Sequence, residues 1–254
     1  MKRIELFSCP MDIATMDGTV EAISSRLERG KFTQHVVINV AKLVRMQNDA
    51  ELAASVRACD IINIDGMGVV WAARLLGVPV PERVAGVDLF ERLLALASQK
   101  DVPVFLLGAT DAVVTRAATV VSERYPGLRV AGHHHGYFWG DEEAAVELIR
   151  RSGAKLLFVA ITSPMKENFI DRWKDRLGVD FVMGVGGTFD VVAGRVRRAP
   201  SWMQHCGLEW AFRVAQEPRR MWRRYLVTNT RFMLMLLKAR LASAMHRTAR
   251  GHGR

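Results

Sequence analysis

The sequence predicts an α/β fold on a mostly parallel sheet, with helices on both faces, and three features carry that reading. Five short apolar runs rich in Val and Ile alternate with five helical patterns, the rhythm of βαβ units. The runs are continuous rather than alternating with polar residues, as in strands buried on both sides. After Gly194 the rhythm stops and a basic helical segment takes over. Residues 1–200 are therefore expected to form the α/β body and residues 201–254 a basic α-helical appendage.

In chain order, the first clear strand is 35–40 and the first helix 50–58. A strand at 61–64 ends in a lone acid, Asp65, followed at once by Gly66 and Gly68. A helix at 89–98 leads to a strand at 104–107, and a helix at 111–124 follows Gly108. Then come a helix at 142–151, a strand at 156–161, a helix at 167–177 and a strand at 181–185. The last strand runs into a glycine cluster, Gly184, Gly186 and Gly187, with Asp190 beyond it. From about Gly207 the chain is expected to be helical, with a break near Pro218.

The chain has 254 residues, half of them hydrophobic, enough for one sizeable core. Acids interrupt the N-terminus and no apolar segment follows its basic start, unlike a signal peptide. The apolar run at 232–237 is far shorter than the roughly 20 residues that cross a bilayer. Cys9, Cys59 and Cys206 are odd in number and without metal-ligand spacing, as in a reduced, cytoplasmic protein. Fourteen Lys and Arg against Glu209 and Glu217 make residues 195–254 strongly basic, whereas the rest of the chain is close to neutral. A localised basic segment implies an anionic partner.

In open parallel sheets ligands bind at the C-terminal ends of strands. Those ends carry Asn39, Asp65 to Gly68, Gly108, the 162–164 turn and the glycine cluster. Small residues there admit a ligand close to the backbone, and helix N-termini behind them favour anions.

Eight stretches in order carry a resemblance: VINVAKLV, DGMGVV, ERVAGVDLF, FLLGAT, YPGLRVAGHHHGYF, SPMKENFI, GVGGTFDVVAGRVRRAP and GLEWAFRVAQEPRRMWRRYL. Over roughly residues 8–230 the chain resembles the WecG/TagA/CpsF glycosyltransferases of bacterial surface-polysaccharide synthesis. The resemblance implies a Rossmann-like body and transfer of a sugar from a UDP-sugar to a polyprenyl-diphosphate-linked saccharide. Inversion at the anomeric carbon, without metal or other cofactor, is implied too. So is peripheral attachment to the inner, cytoplasmic face of the plasma membrane through the basic appendage. A homo-oligomer is compatible with it.

Residue by residue, the resemblance makes Asp65 the catalytic base; the plainer reading is a helix N-cap. Arg83 would meet a diphosphate, or else pair with Glu82 or Asp88 at the surface. Asn39 would hold a sugar hydroxyl, or simply form a turn, and Val37 stands where the family often has Thr. Lys166, in a segment the family usually writes Pro-Lys-Gln-Glu, would reach a donor phosphate or an acidic sugar, with Glu167 beside it; the alternative is a solvent-facing helix residue. Tyr137 would stack on uracil or sugar, or pack within its loop. Gly66, Gly68, Gly108, Gly186, Gly187 and Asp190 would line the substrate. Arg213, Arg219, Arg220, Arg223 and Arg224, interleaved with Trp210, Trp222 and Tyr225, would face lipid headgroups or the lipid diphosphate. Adjacent histidines 133–135 cannot all reach one metal; the resemblance, whose members carry a similar HGYF loop, implies a substrate-lining loop there.

Two other classes compete. A nucleic-acid-binding protein would use the basic tail, but no binding motif is present. A noncatalytic scaffold of the polysaccharide machinery would tolerate loss of Asp65. An epimerase is disfavoured by the lack of a dinucleotide fingerprint.

Overall fold

Six parallel strands, one more than the sequence rhythm suggests, form the central sheet. The computed structural model describes residues 1–251, apart from the side chains of residues 205, 220, 221, 224 and 242–251. A two-stranded antiparallel hairpin opens the chain, β1 (Lys2–Leu6) and β2 (Cys9–Ile13). The remaining elements are α1 (Met16–Glu28), β3 (Thr33–Ile38), α2 (Val40–Met46), α3 (Ala50–Arg57), β4 (Ile61–Ile64), α4 (Met67–Leu75) and α5 (Gly86–Gln99). Then follow β5 (Val104–Gly108), α6 (Asp111–Arg124), β6 (Val130–His134), α7 (Glu142–Ser152), β7 (Leu156–Ala160), α8 (Met165–Trp173), β8 (Phe181–Gly184) and α9 (Thr188–Val192). The chain closes with α10 (Ser201–His205), α11 (Glu209–Gln216) and α12 (Pro218–Gly251). The sheet order is β4-β3-β8-β7-β5-β6.

Apolar side chains leave both faces of the sheet, as the continuous runs require. Leu106, Phe158, Phe181 and Met183 point to one face and are covered by α1, α5, α6 and α9. Phe105, Leu157, Val159 and Val182 point to the other, under α7 and α8. On that second face Val36, Ile38, Ile62 and Ile64 pack on α2, α3 and α4. The exits of β3 and β7 thus turn to one face, and those of β5 and β8 to the other. The C-terminal ends of the central strands part over the middle of the sheet, where a ligand crevice belongs.

The structure shifts several expected boundaries. The first strand ends at Ile38, not Val40, because Asn39 caps α2 by accepting from the Lys42 N–H at 2.9 Å. The hairpin escapes the apolar pattern because β1 is mostly exposed and β2 contains Pro10, and its turn residues Phe7 and Ser8 adopt positive φ. β6 escapes it as an edge strand of the sequence VAGHH; a Cβ at Gly132 would meet the Phe105 ring at 2.7 Å. The break near Pro218 occurs as expected: α11 ends at Gln216 and proline opens α12.

The appendage packs on the body. Phe232 and Leu236 of α12 are buried with Leu43, Val44 and Val69, and the Phe232 ring meets Phe7 edge-on at 5.6 Å. At the joint, Gly207 has φ +70°, and a Cβ there would lie 2.8 Å from the Trp71 ring. Among the described residues no helix is long and apolar enough to cross a membrane.

Candidate active site

Asp65 follows β4 directly, and its N–H bonds the Ile38 carbonyl at 2.9 Å, which sets it beside Asn39 at the end of the neighbouring strand. The helix that follows is capped by Gly66, without a side-chain bond, so Asp65 is not the N-cap. Its carboxylate points instead toward the start of α5. A Cβ on Gly86 would find Asp65 Oδ2 at 3.7 Å, Val37 Cγ2 at 3.5 Å and Met183 Cε at 3.7 Å. Burial among these groups pushes the Asp65 carboxyl up from its ordinary value, against the opposing pull of Arg83.

Arg83 lies on the segment between α4 and α5, tied to the sheet where the Val84 N–H bonds the Ile64 carbonyl at 2.9 Å. Neither expected partner holds it. Glu82 accepts from the Met16 N–H, and Asp88 receives both terminal nitrogens of Arg198 at 2.5 and 2.7 Å. Arg83 donates instead to Glu209 of α11 at 3.0 Å, and Arg213, one turn further on, donates to the other oxygen of Glu209 at 3.0 Å. Burial works against the charge of Glu209, but Arg213 and Arg83 outweigh it and hold that carboxyl below its ordinary value. Asp65, Arg83, Glu209 and Arg213 thus form one electrostatic cluster, drawn from the body and the appendage.

Lys166 does not face solvent, which corrects the expectation of a solvent-facing helix residue. Its ammonium pairs with Glu167 at 2.7 Å, and Lys42 of α2 reaches the same Glu167 oxygen at 2.8 Å, with side chains only 8, 3 and 5% exposed. Lys42 also donates to the Val37 carbonyl at 2.8 Å. The Lys166 stem crosses Gly184 so closely that a Cβ there would lie 2.6 Å from Lys166 Cε. The triad therefore joins β3, α2, α8 and β8.

The glycines divide. A Cβ on Gly66 would meet the Asn39 Cα at 3.2 Å, one on Gly68 the Val40 Cγ2 at 2.9 Å, and one on Gly108 the Ala160 carbonyl oxygen at 2.4 Å. At these three positions the chain itself requires the glycine, since a side chain would collide with neighbouring backbone or Val40. Gly186 and Gly187 do face open space, with Asp190 in the first turn of α9 behind them. Tyr137 is 71% exposed beyond β6, in the loop where its N–H bonds His135 Nδ1 at 3.1 Å. Arg219 and Arg223 are exposed on α12; the side chains of Arg220 and Arg224 lie outside those described. Glu209, Arg198 and Lys42 were not singled out from the sequence. The Glu209 and Arg213 spacing within GLEWAFRVAQ, one helical turn, was the available signal.

A family model described as "Glycosyl transferase WecG/TagA/CpsF family" matches residues 4–246, from the hairpin through most of α12. The chain belongs to the WecG/TagA/CpsF glycosyl transferase family. Two relatives bear the name N-acetylglucosaminyldiphosphoundecaprenol N-acetyl-beta-D-mannosaminyltransferase. One, from Bacillus spizizenii, is 38% identical over 199 residues, covering 78% of this chain and 76% of the relative. The other, from Bacillus subtilis strain 168, is 37% identical over 174 residues, covering 68% and 67%. In this glycosyltransferase the family match includes the appendage, so Glu209 and Arg213 fall within it together with Asp65 and Arg83.

Proposed function

We propose that the protein moves a sugar from a UDP-sugar to a hydroxyl of a polyprenyl-diphosphate-linked saccharide, by one inverting displacement without a metal ion. The observation that carries the reading is the position of Asp65: a half-buried carboxylate with a raised pKa, at a strand end, beside a pair of arginines. The relatives' printed name supports the acceptor class and makes N-acetylmannosamine the first donor to test.

In this mechanism Asp65 accepts the proton of the acceptor hydroxyl as its oxygen attacks the anomeric carbon. The raised pKa makes it a better base. One carboxylate suffices for single displacement. As the new bond forms, the bond from the anomeric carbon to the diphosphate breaks and its electron pair leaves with UDP. Arg83 and Arg213 supply the positive charge that stabilises the departing diphosphate, the role a divalent cation fills elsewhere. Asn39 follows β3 beside Asp65; with its Oδ1 capping α2, its Nδ2 is the group that would donate to a sugar hydroxyl. Val37, beside Gly86, offers that edge a methyl group rather than a hydroxyl. The exposed tryptophans 202, 210 and 222, with Arg219 and Arg223, suit the headgroup layer of an anionic membrane, where the lipid-linked acceptor resides.

The test is UDP release with a lipid-diphosphate-linked N-acetylglucosamine acceptor and a panel of UDP-sugars, in wild type and Asp65→Asn, with and without EDTA. Acceptor-dependent release that survives EDTA and collapses in the variant is the expected result. Folded protein that releases no UDP from any donor would sink the reading and favour a scaffold.

A further inference from the structure

The contact that covers Arg83 has the form of a bound ligand. One carboxylate offers an oxygen to each of two guanidinium groups: Glu209 Oε2 to Arg83 and Oε1 to Arg213, both at 3.0 Å. A phosphate group would engage the same pair through two of its oxygens, since the guanidinium fork serves both anions alike. Arg83 and Glu209 are only 14 and 18% exposed, whereas Arg213 is 49% exposed, so the clamp is shielded on the Arg83 side and open to solvent on the other. With Asp65, the cluster already balances two negative groups against two positive ones. A nucleoside diphosphate adds at least two more negative charges, and Glu209 and that ligand cannot both occupy the two arginines.

The element that carries Glu209 is built to move. No residue of α11 is fully buried, and its apolar side chains Ala211, Phe212 and Val214 are only partly covered, so lifting the helix opens no closed core. Leu208 provides no side-chain cap, and Gly207 before it adopts a left-handed φ of +70°. Arg213 rides on the same helix at i+4, so one movement withdraws the carboxylate and re-aims the arginine.

We propose that Glu209 is an internal stand-in for substrate phosphate. It holds Arg83 and Arg213 together while the site is empty, and a nucleoside diphosphate displaces it on binding. This rests on the reading of the two arginines as a diphosphate clamp. The empty enzyme is then charge-balanced and closed to stray anions, and donor binding releases α11.

Calorimetric titration of UDP and of inorganic pyrophosphate into the full chain tests this, comparing wild type with Glu209→Gln, Glu209→Ala and Arg83→Gln. Removing the internal competitor should tighten both anions in both Glu209 variants, by about tenfold, the equivalent of one strong ion pair. Arg83→Gln should weaken both. If Arg83→Gln weakens binding but the Glu209 variants bind as wild type does or less tightly, the carboxylate is a support for the arginines and the proposal falls while the clamp stands. If neither anion binds wild type or any variant, or binding ignores Arg83, the clamp itself is wrong and the proposal falls with it.

Discussion

Asp65 works against its surroundings. Burial raises its carboxyl pKa, so its charged form is less comfortable in the folded protein than in the unfolded chain. For an acid of raised pKa, stability is fully present below the unfolded value and is lost as pH rises through the folded one. The ionised form of Asp65 is therefore a local cost, one that the proposed role as base would require. Asp65→Asn should cut transfer by roughly 10²- to 10⁴-fold, the range for a general base. The same change should leave the urea midpoint at pH 7 equal to or above that of wild type. A loss of stability equal to the loss of activity would make Asp65 a structural residue. Its place was legible in the sequence because an acid closing an apolar run can only stand at a strand end. Glu209 was not legible as its neighbour, since the chain returns to Arg83 only after 126 residues.

At the level of elements, two buried polar links hold the central strands. Glu167 joins Lys42 of α2 to Lys166 of α8, and burial of its charge is outweighed by the two lysines, which hold its carboxyl well below the ordinary range. Glu167→Ala leaves two buried ammonium groups without that partner and should cost about 3–5 kcal/mol in urea unfolding. His35 of β3 bonds Asn63 of β4 at 2.9 Å, and Asn63 reaches Thr19 of α1 at 3.2 Å. Burial lowers the His35 pKa from 6.5 to about 4. Between those values the unfolded chain holds a proton that the folded one refuses, so stability falls as pH drops from about 6.5 toward 4, by roughly 3 kcal/mol in all. Glu167, with its depressed pKa, adds its loss only below about 4.5, where the unfolded carboxylate titrates. His35→Gln should flatten the upper window and leave the lower one; an unchanged slope between pH 6.5 and 4.5 would refute that assignment. The four inner strands, and β4, whose outer edge is met by Asp12 of the hairpin, were readable because strands buried on both faces must be apolar throughout. The hairpin and β6 were not, because an edge or exposed strand has no such requirement.

For the whole molecule, charge and apolar surface point the same way. The basic last quarter carries exposed Trp202, Trp210 and Trp222, and exposed Met233, Leu234 and Leu237 on α12, and Trp71 and Leu75 of α4 are exposed as well. The protein should sediment with vesicles containing anionic lipid. Raising salt from about 0.1 to about 1 M, which shrinks the screening length from roughly 10 to 3 Å, should release much of it. Arg219→Glu with Arg223→Glu should have the same effect at low salt. Equal binding to zwitterionic vesicles would mean that apolar contact alone attaches the chain. The tail's basicity is plain in its composition; its packing through Phe232 and Leu236 is not, because those two are buried beside exposed neighbours in one apolar run. The pairing of Arg83 with Glu209 has a further consequence for the order in which the protein becomes itself. During synthesis the whole sheet, with Asp65 and Arg83, leaves the ribosome before the helix that completes the cluster. A nascent or clipped chain can therefore own every strand of the fold and still be unable to assemble the site. If the proposed clamp is right, competence arrives with the last quarter of the polypeptide, and a truncated product would be a silent body rather than a loose, untimely enzyme.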